Sequence, residues 1–180
     1  LGGDFIKGYS GNSSLSIKKI SQEFLKVKAP IYTVLGNHDG KYDKYTVKKA
    51  LEECGINVLI NSYKENNGIT IAGIDDLQTG IPNPEAALCG SEAPKILITH
   101  SPDIYYNIKQ PVDLILAGHV HGGQVRIPFK GAIIVPSKYG TKFACGEFSE
   151  TGNRMIVSKG LGTSILTVRF LTVPEIVVIN

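Results

Sequence analysis

Four times in the first 121 residues, a short apolar run stops abruptly and a metal-ligating side chain follows. Leu1-Gly2-Gly3 leads into Asp4, Ile31 to Leu35 into Gly36-Asn37-His38, Lys95 to Thr99 into His100, and Leu114 to Ala117 into Gly118-His119-Val120-His121. β-branched runs of four or five residues bounded by glycine read as strands. Between the first three of these runs lie stretches of helical period, so strand and helix alternate. That alternation predicts a layered α/β or α+β domain, in which ligands collect at the carboxyl ends of the strands. All four histidines of the chain, His38, His100, His119 and His121, fall at such ends. Structural histidines scattered through a fold would not.

The intervening elements can be placed from their spacing. Ile17, Ile20, Phe24 and Val27 form one helical stripe over about 15–28, with Lys18, Lys19 and Lys26 on the other side and Ala29-Pro30 as the stop. Asp43 can cap a second helix, whose Val47, Ala50, Leu51 and Cys54 recur at i, i+3, i+4 and i+7 before Gly55. Asn57 to Ile60 and Gly68 to Ile74 read as strands, and Glu65-Asn66-Asn67-Gly68 as a type I′ hairpin turn. Ser101 followed by Pro102 is a helix start. Asp75 and Asp76 close a strand and read as turn residues. Beyond Gln124 the helical period disappears. Short runs at 125–127, 132–135, 143–148, 155–157, 166–170 and 176–179 predict an antiparallel β half.

Bulk properties remove several classes of function. A chain of 180 residues suffices for one domain with a sizeable core. A net charge of +3, with no basic stripe interleaved with aromatics, does not point to long nucleic acids. No apolar stretch is long enough to span a membrane. Cys54, Cys89 and Cys145 are odd in number and lack Cys-x-x-Cys spacing, which excludes a disulfide framework or a zinc knuckle and leaves them as small apolar filler. The tract Gly8-Tyr9-Ser10-Gly11-Asn12 is not a serine nucleophile elbow, since Asn12 stands where the second glycine is required.

What remains is metal chemistry. His119 and His121 can point the same way only if Val120 bends the chain, and Gly118, Gly122 and Gly123 permit that bend. A carboxylate, a carboxamide oxygen and imidazoles, without thiolate, suit divalent manganese, iron or zinc. Two such ions can polarise a phosphoryl oxygen and hold a hydroxide for in-line attack, and a histidine that is not a ligand can protonate the leaving alkoxide.

Gly3-Asp4, Gly36-Asn37-His38-Asp39, Thr99-His100 and Gly118-His119-Val120-His121, in this order, resemble the calcineurin-like metallophosphoesterase family. The motifs run from the first residues to about Gln124. Ser137-Lys138-Tyr139-Gly140, Ser158-Lys159-Gly160-Leu161-Gly162-Thr163-Ser164 and Pro174-Glu175-Ile176 resemble its bacterial branch of phosphodiesterases and a UDP-diacylglucosamine pyrophosphatase. The resemblance implies a four-layer αββα sandwich and two divalent ions (Mn, Zn or Fe). It makes Asp4 the bridging carboxylate, gives Asn37, His100 and His119 to the second ion and His121 to the first, and casts His38 as the acid with Asp39 orienting it. Gln124 and Tyr139 are candidate substrate contacts, and a nucleotide-linked lipid precursor is the implied substrate class.

The family's opening Asp-x-His is absent from these residues. The expectation is a single domain over 1–180, N-terminally truncated and lacking the first strand, with an incomplete first metal site and an apolar sheet edge open to dimerisation. Two alternatives stand beside hydrolysis of phosphodiester or pyrophosphate bonds. One is a metal-binding or protein-interaction scaffold without turnover, and the other a cyclic-nucleotide or nucleic-acid phosphodiesterase. The expected location is cytoplasmic or peripheral at a membrane.

Overall fold

The structure, a computed structural model, describes residues 1–6, 13–90, 92, 94–164 and 167–179. Its centre is a mixed six-stranded sheet. The order is β3 (Ser62–Asn66), β4 (Ile69–Gly73), β5 (Lys95–Thr99), β6 (Leu114–Ala117), β10 (Met155–Val157) and β9 (Gly146–Phe148). The four middle strands run parallel, and an antiparallel strand closes each edge. The β3–β4 hairpin turns at Asn67 and Gly68, both with positive φ (49° and 76°), as an Asn-Gly type I′ turn requires.

A second, two-stranded parallel sheet pairs β1 (Tyr32–Thr33) with β2 (Asn57–Val58). The first residues run alongside it: the Leu1 ammonium donates to the Tyr32 carbonyl at 2.7 Å, and the Val34 amide donates to the Leu1 carbonyl at 3.4 Å. The two sheets face each other where Gly73 meets Leu59 and Val34. A Cβ on Gly73 would stand 2.4 Å from Leu59 Cβ, so only glycine permits this approach. Outside the small sheet lie α1 (Ser13–Phe24) and α2 (Asn37–Glu52), which bury Ile17, Val47 and Leu51 on Leu35, Ile56 and Val58. Outside the large sheet lie α3 (Pro84–Leu88), a 3₁₀ turn at Pro102–Asn107 and a cluster of aromatic rings. These are the expected layers of an α/β sandwich.

Three boundaries differ from the sequence reading for physical reasons. First, α2 begins at Asn37, before Asp43. The backbone of Asp43 is extended (φ −172°, ψ 101°), and its carboxylate accepts from the Tyr45 amide at 3.0 Å and the Thr46 hydroxyl at 2.5 Å. Asp43 is therefore a cap as expected, but an internal one, because a first helical turn precedes it. Second, the C-terminal half is not a separate antiparallel sheet. β10 pairs in parallel with β6, because Met155 and Val157 are apolar enough to be buried at the centre of the large sheet. β7 (Arg126–Ile127) and β8 (Gly131–Ala132) form a small hairpin, and no strand is assigned among the described residues of 166–170 or 176–179. Third, Val27 lies beyond the end of α1 and is exposed. Most of the polar tract around Gly8 lies outside the described residues, as does Leu166.

Phe143 is fully buried at the middle of the outer layer. Its ring lies 4.9 Å from Phe148, 5.4 Å from Tyr139 and 5.8 Å from both Tyr105 and Tyr106. Truncation to alanine removes the ring against which the others pack. Phe143→Ala is expected to cost about 3–5 kcal/mol, read as a lowered midpoint in urea denaturation.

Candidate metal centre

The site stands at the carboxyl ends of β5 and β6 and at the start of α2, where a turn replaces a strand. The polypeptide reaches it with unusual backbone. Asp4, His119 and His121 all hold left-handed conformations (φ 59°, 69° and 50°), while Val120 between the histidines is right-handed. The bend therefore falls on the two histidines themselves, with Gly122 and Gly123 (φ 66° and 76°) continuing it. Left-handed backbone at a non-glycine residue costs about 1–3 kcal/mol, so surrounding contacts must hold it in place.

Asp39 is one source of that hold. It is completely buried, and its carboxylate accepts backbone N–H groups from Asp4 (2.8 Å), Phe5 (2.9 Å), Ile6 (3.4 Å) and Gly36 (2.9 Å). Both oxygens are thus occupied by the segment that carries Asp4 and by the turn that carries Asn37. The expected role of Asp39 in orienting the His38 ring is not what the structure shows. Its carboxylate anchors backbone, because four buried amides at one point need a strong acceptor. Burial, against the pull of the Gly36 and Asp4 amides, pushes its pKa up to about 6.

Four atoms bearing lone pairs converge above this anchor. His100 Nε2 lies 3.1 Å from Asn37 Oδ1, 3.3 Å from Asp4 Oδ2 and 2.9 Å from His119 Nδ1. The donor atoms of Asp4, His100 and His119 all lie within 4.8 Å of one another. On the far side of its ring, His100 Nδ1 is 2.6 Å from the Gly2 carbonyl. A carbonyl only accepts, so Nδ1 carries a proton and donates it there. One proton on Nε2 can serve one neighbour well, yet three acceptors surround it. A divalent cation satisfies all four atoms at once, and the set of one carboxylate, one carboxamide oxygen and two imidazoles suits manganese, iron or zinc. The residues therefore fit an ion.

The electrostatics agree. Burial opposes charge on His100, but the hydrogen bond and charge of Asp4 outweigh it and hold its pKa above the ordinary value. Burial likewise opposes charge on Asp4, and His100 overcomes this and holds the carboxyl low. His119 is driven down to about 4, first by burial and then by the charge on His100.

The other expected residues divide. His38 sits in the first turn of α2, and its amide donates to Asp4 Oδ1 at 2.9 Å. Its Nε2 is 3.5 Å from the Ser164 hydroxyl, and its Nδ1 is buried without a partner. His121 lines the same cavity as Asp4, His100 and His119 but stands outside their cluster, and its pKa is lowered by burial and by Arg169. Gln124 was expected to touch substrate. Its side-chain oxygen instead accepts the Ser164 amide at 2.7 Å, because the turn after His121 needs a tie to the 162–164 loop. Tyr139 is a correction of the same kind. Its ring packs 5.1 Å from Tyr106 and 5.4 Å from Phe143 in the outer layer, driven there by aromatic burial, and does not line the cavity. Asp75 and Asp76 are turn residues as expected: Asp75 holds Lys44 with both oxygens at 2.5 and 2.6 Å.

Three features escaped the sequence reading. Gly36 leaves no room for a side chain, since a Cβ there would lie 2.1 Å from Asp4 Oδ1 and 2.6 Å from His100 Cε1. Its position directly before Asn37 was the available signal. Arg169 donates to the carbonyls of Lys159 (2.8 Å), Gly160 (3.1 Å), Gly162 and His121 (3.4 Å), which binds the 159–162 loop to the histidine turn. Gln78 reaches His119 from a turn that carries no motif. The cavity beneath these groups is about 560 Å³, with Ile98, Leu116, Ile156, Leu161, Ile176 and Val177 in its walls.

Residues 1–123 match the family model described as calcineurin-like phosphoesterase. The chain is 37% identical over 164 residues to YkuE of Bacillus subtilis strain 168, an uncharacterized metallophosphoesterase. That match covers 85% of this chain and 57% of the Bacillus protein. It is 29% identical over 192 residues to the phosphodiesterase YaeI of Escherichia coli K12, covering all of this chain and 68% of that protein. A metallophosphoesterase of Aquifex aeolicus VF5 is 30% identical over 189 residues, covering 99% of this chain and 70% of the relative. The chain thus spans little more than half to about two thirds of the length of these relatives.

Gly36→Ala tests the fit directly. The backbone at Gly36 (φ −101°) accepts alanine, so the only obstacle is the collision with Asp4 and His100. Affinity for zinc or manganese, measured by calorimetric titration, is expected to fall by about tenfold or more. Asp39 makes a pH prediction. Its folded pKa of about 6 lies above the ordinary carboxylate value of 3.8. The stability this group contributes is therefore complete below about pH 4 and is lost as pH rises through 6. In urea denaturation of the metal-free chain, the difference between wild type and Asp39→Asn should change by on the order of 3 kcal/mol across that window, and hold steady above it.

Proposed function

This chain belongs to the calcineurin-like phosphoesterase family, and we propose that it hydrolyses phosphodiester or pyrophosphate bonds with divalent metal ions held at its strand ends. The observation that carries the reading is the convergence of Asp4, Asn37, His100 and His119 around one point. These residues would hold one ion, and Asp4 with His121 would contribute to a second, which would make the site dinuclear. Bound ions supply the Lewis acid that polarises a phosphoryl oxygen and lowers the pKa of water.

The chain's own groups do the rest. The Gly2 carbonyl fixes His100 with Nδ1 protonated, so that Nε2 faces the site as a ligand. Asp4 Oδ1 receives the His38 amide and is held in place, which leaves Oδ2 toward His100. His38 stands one residue from the ligand Asn37 and takes no part in the cluster of donors. Its Nε2 carries the proton for the leaving oxygen, and the Ser164 hydroxyl stands beside that atom. The cavity below the ligands is lined largely by apolar side chains, which suits an acyl chain. This favours a lipid-linked nucleotide, cut at its pyrophosphate, over a cyclic nucleotide or a nucleic acid.

Hydrolysis of bis-p-nitrophenyl phosphate with added manganese is the test, run beside metal analysis of the protein. Turnover that chelator removes is expected. His38→Ala should lower kcat by about 10²-fold or more with metal content unchanged, as loss of a general acid does. Binding of metal without turnover on this substrate or on a UDP-linked diacyl sugar would favour the scaffold reading.

A further inference from the structure

The turn after β4 is built more tightly than its exposure requires. Asp76 is buried, and its Oδ2 accepts three hydrogen bonds: from the Gln78 amide (3.0 Å), the Thr79 amide (2.8 Å) and the Thr79 hydroxyl (2.8 Å). Asp75 Oδ1 in turn accepts the Asp76 amide at 2.9 Å, and the Asp75 carboxylate holds Lys44 of α2. Gly40, also on α2, has no side chain where Thr79 arrives. A Cβ there would stand 2.1 Å from Thr79 Oγ1. The helix that carries Asn37 and this turn are thus seated directly on each other. The result is a fixed perch for Gln78, whose carboxamide lies 3.3 Å from His119 Nε2.

His119 presents its other nitrogen, Nδ1, to the cluster. An imidazole that binds an ion through Nδ1 must carry its proton on Nε2, and that N–H needs an acceptor. We infer that Gln78 is a positioning residue for the metal centre: its side-chain oxygen accepts the His119 Nε2 proton and so locks the tautomer that offers Nδ1 to the ion. The inference rests on the metal-site reading above. A carboxamide suits the position because it carries both an acceptor and a donor. The Gln78 amide nitrogen is the atom placed 3.3 Å from Nε2. A half-turn of the amide group exchanges oxygen for nitrogen in the same space, and the acceptor then faces Nε2–H. Gln78 supports the ring throughout without becoming a ligand.

The test is zinc affinity of the full 180-residue chain, measured by competition with a chromophoric chelator, for wild type, Gln78→Leu, Gln78→Glu and His119→Ala. Gln78→Leu keeps the bulk and removes the acceptor, and it should bind zinc about 10- to 100-fold more weakly. Gln78→Glu keeps an acceptor and should restore the affinity. In zinc-loaded chain with ¹⁵N-labelled histidine, the His119 ring should show a proton on Nε2 and none on Nδ1 in wild type, and that signal should broaden or vanish in Gln78→Leu. Gln78 is exposed, so the melting temperature should not move. Wild-type zinc affinity in Gln78→Leu, with His119→Ala losing zinc, overturns the role of Gln78 and leaves the metal site standing. Unchanged affinity in His119→Ala overturns the metal site itself and the inference with it.

Discussion

A single buried carboxylate holds the two halves of the site together. Asp39 accepts amides from Asp4, Phe5 and Ile6 on one side and from Gly36 on the other. Without Asp39 these four N–H groups would lose their acceptor, and the buried ones of Ile6 and Gly36 would each cost about 1–3 kcal/mol. The contacts do more than satisfy donors. They fix the left-handed turn at Asp4, and that turn aims the Asp4 carboxylate at His100 and the His38 amide. A charge placed beneath the site to hold backbone serves the residues above it without competing with them for the ion.

The same logic runs through the other strained residues. His119 and His121 adopt left-handed backbone on opposite sides of a right-handed Val120, and Val120 is buried. Arg169 gathers the His121 carbonyl with those of the 159–162 loop. The Lys159 amide and ammonium both meet Glu175, so the segment around Pro174 is tied to the same loop. Two distant stretches of the C-terminal half thus brace the histidine turn. This explains why a chain with little regular structure after residue 124 still delivers a defined site. The bracing is made of carbonyls, amides and one ion pair, for which no strand register is needed.

Legibility in the sequence followed the range of the interactions. Strands β5 and β6 could be bounded to the residue, because a buried parallel strand is a continuous apolar run between turns. The hairpin at Asn67-Gly68 and the start at Ser101-Pro102 were legible because each rests on local backbone chemistry. The cluster of candidate ligands was legible for a different reason: such residue types are costly to bury at strand ends without a purpose. What escaped were roles set by distant partners. Asp39 follows His38 directly and looks like its companion, yet it accepts from amides 34 or 35 positions away. Tyr139 and Gln124 lie near motif residues in the chain but turn to a neighbouring ring and a neighbouring amide. β10 looked like part of a separate sheet, since sequence shows that a strand is apolar and not which strand it will join.

The arrangement around His100 also calls for a positive charge among its neighbours. Carboxylate, carboxamide and two imidazoles brought this close would repel through their lone pairs if nothing positive stood among them. Asp4 holds the pKa of His100 above its ordinary value, and His100 holds the Asp4 carboxyl low. His119 is driven down to about 4 beside them. A divalent ion held by these groups would compete with protons for the same lone pairs, so its binding would be weakened by acid. The carbonyl of Gly2 behind His100 and the carboxamide of Gln78 behind His119 keep both rings oriented toward the cluster.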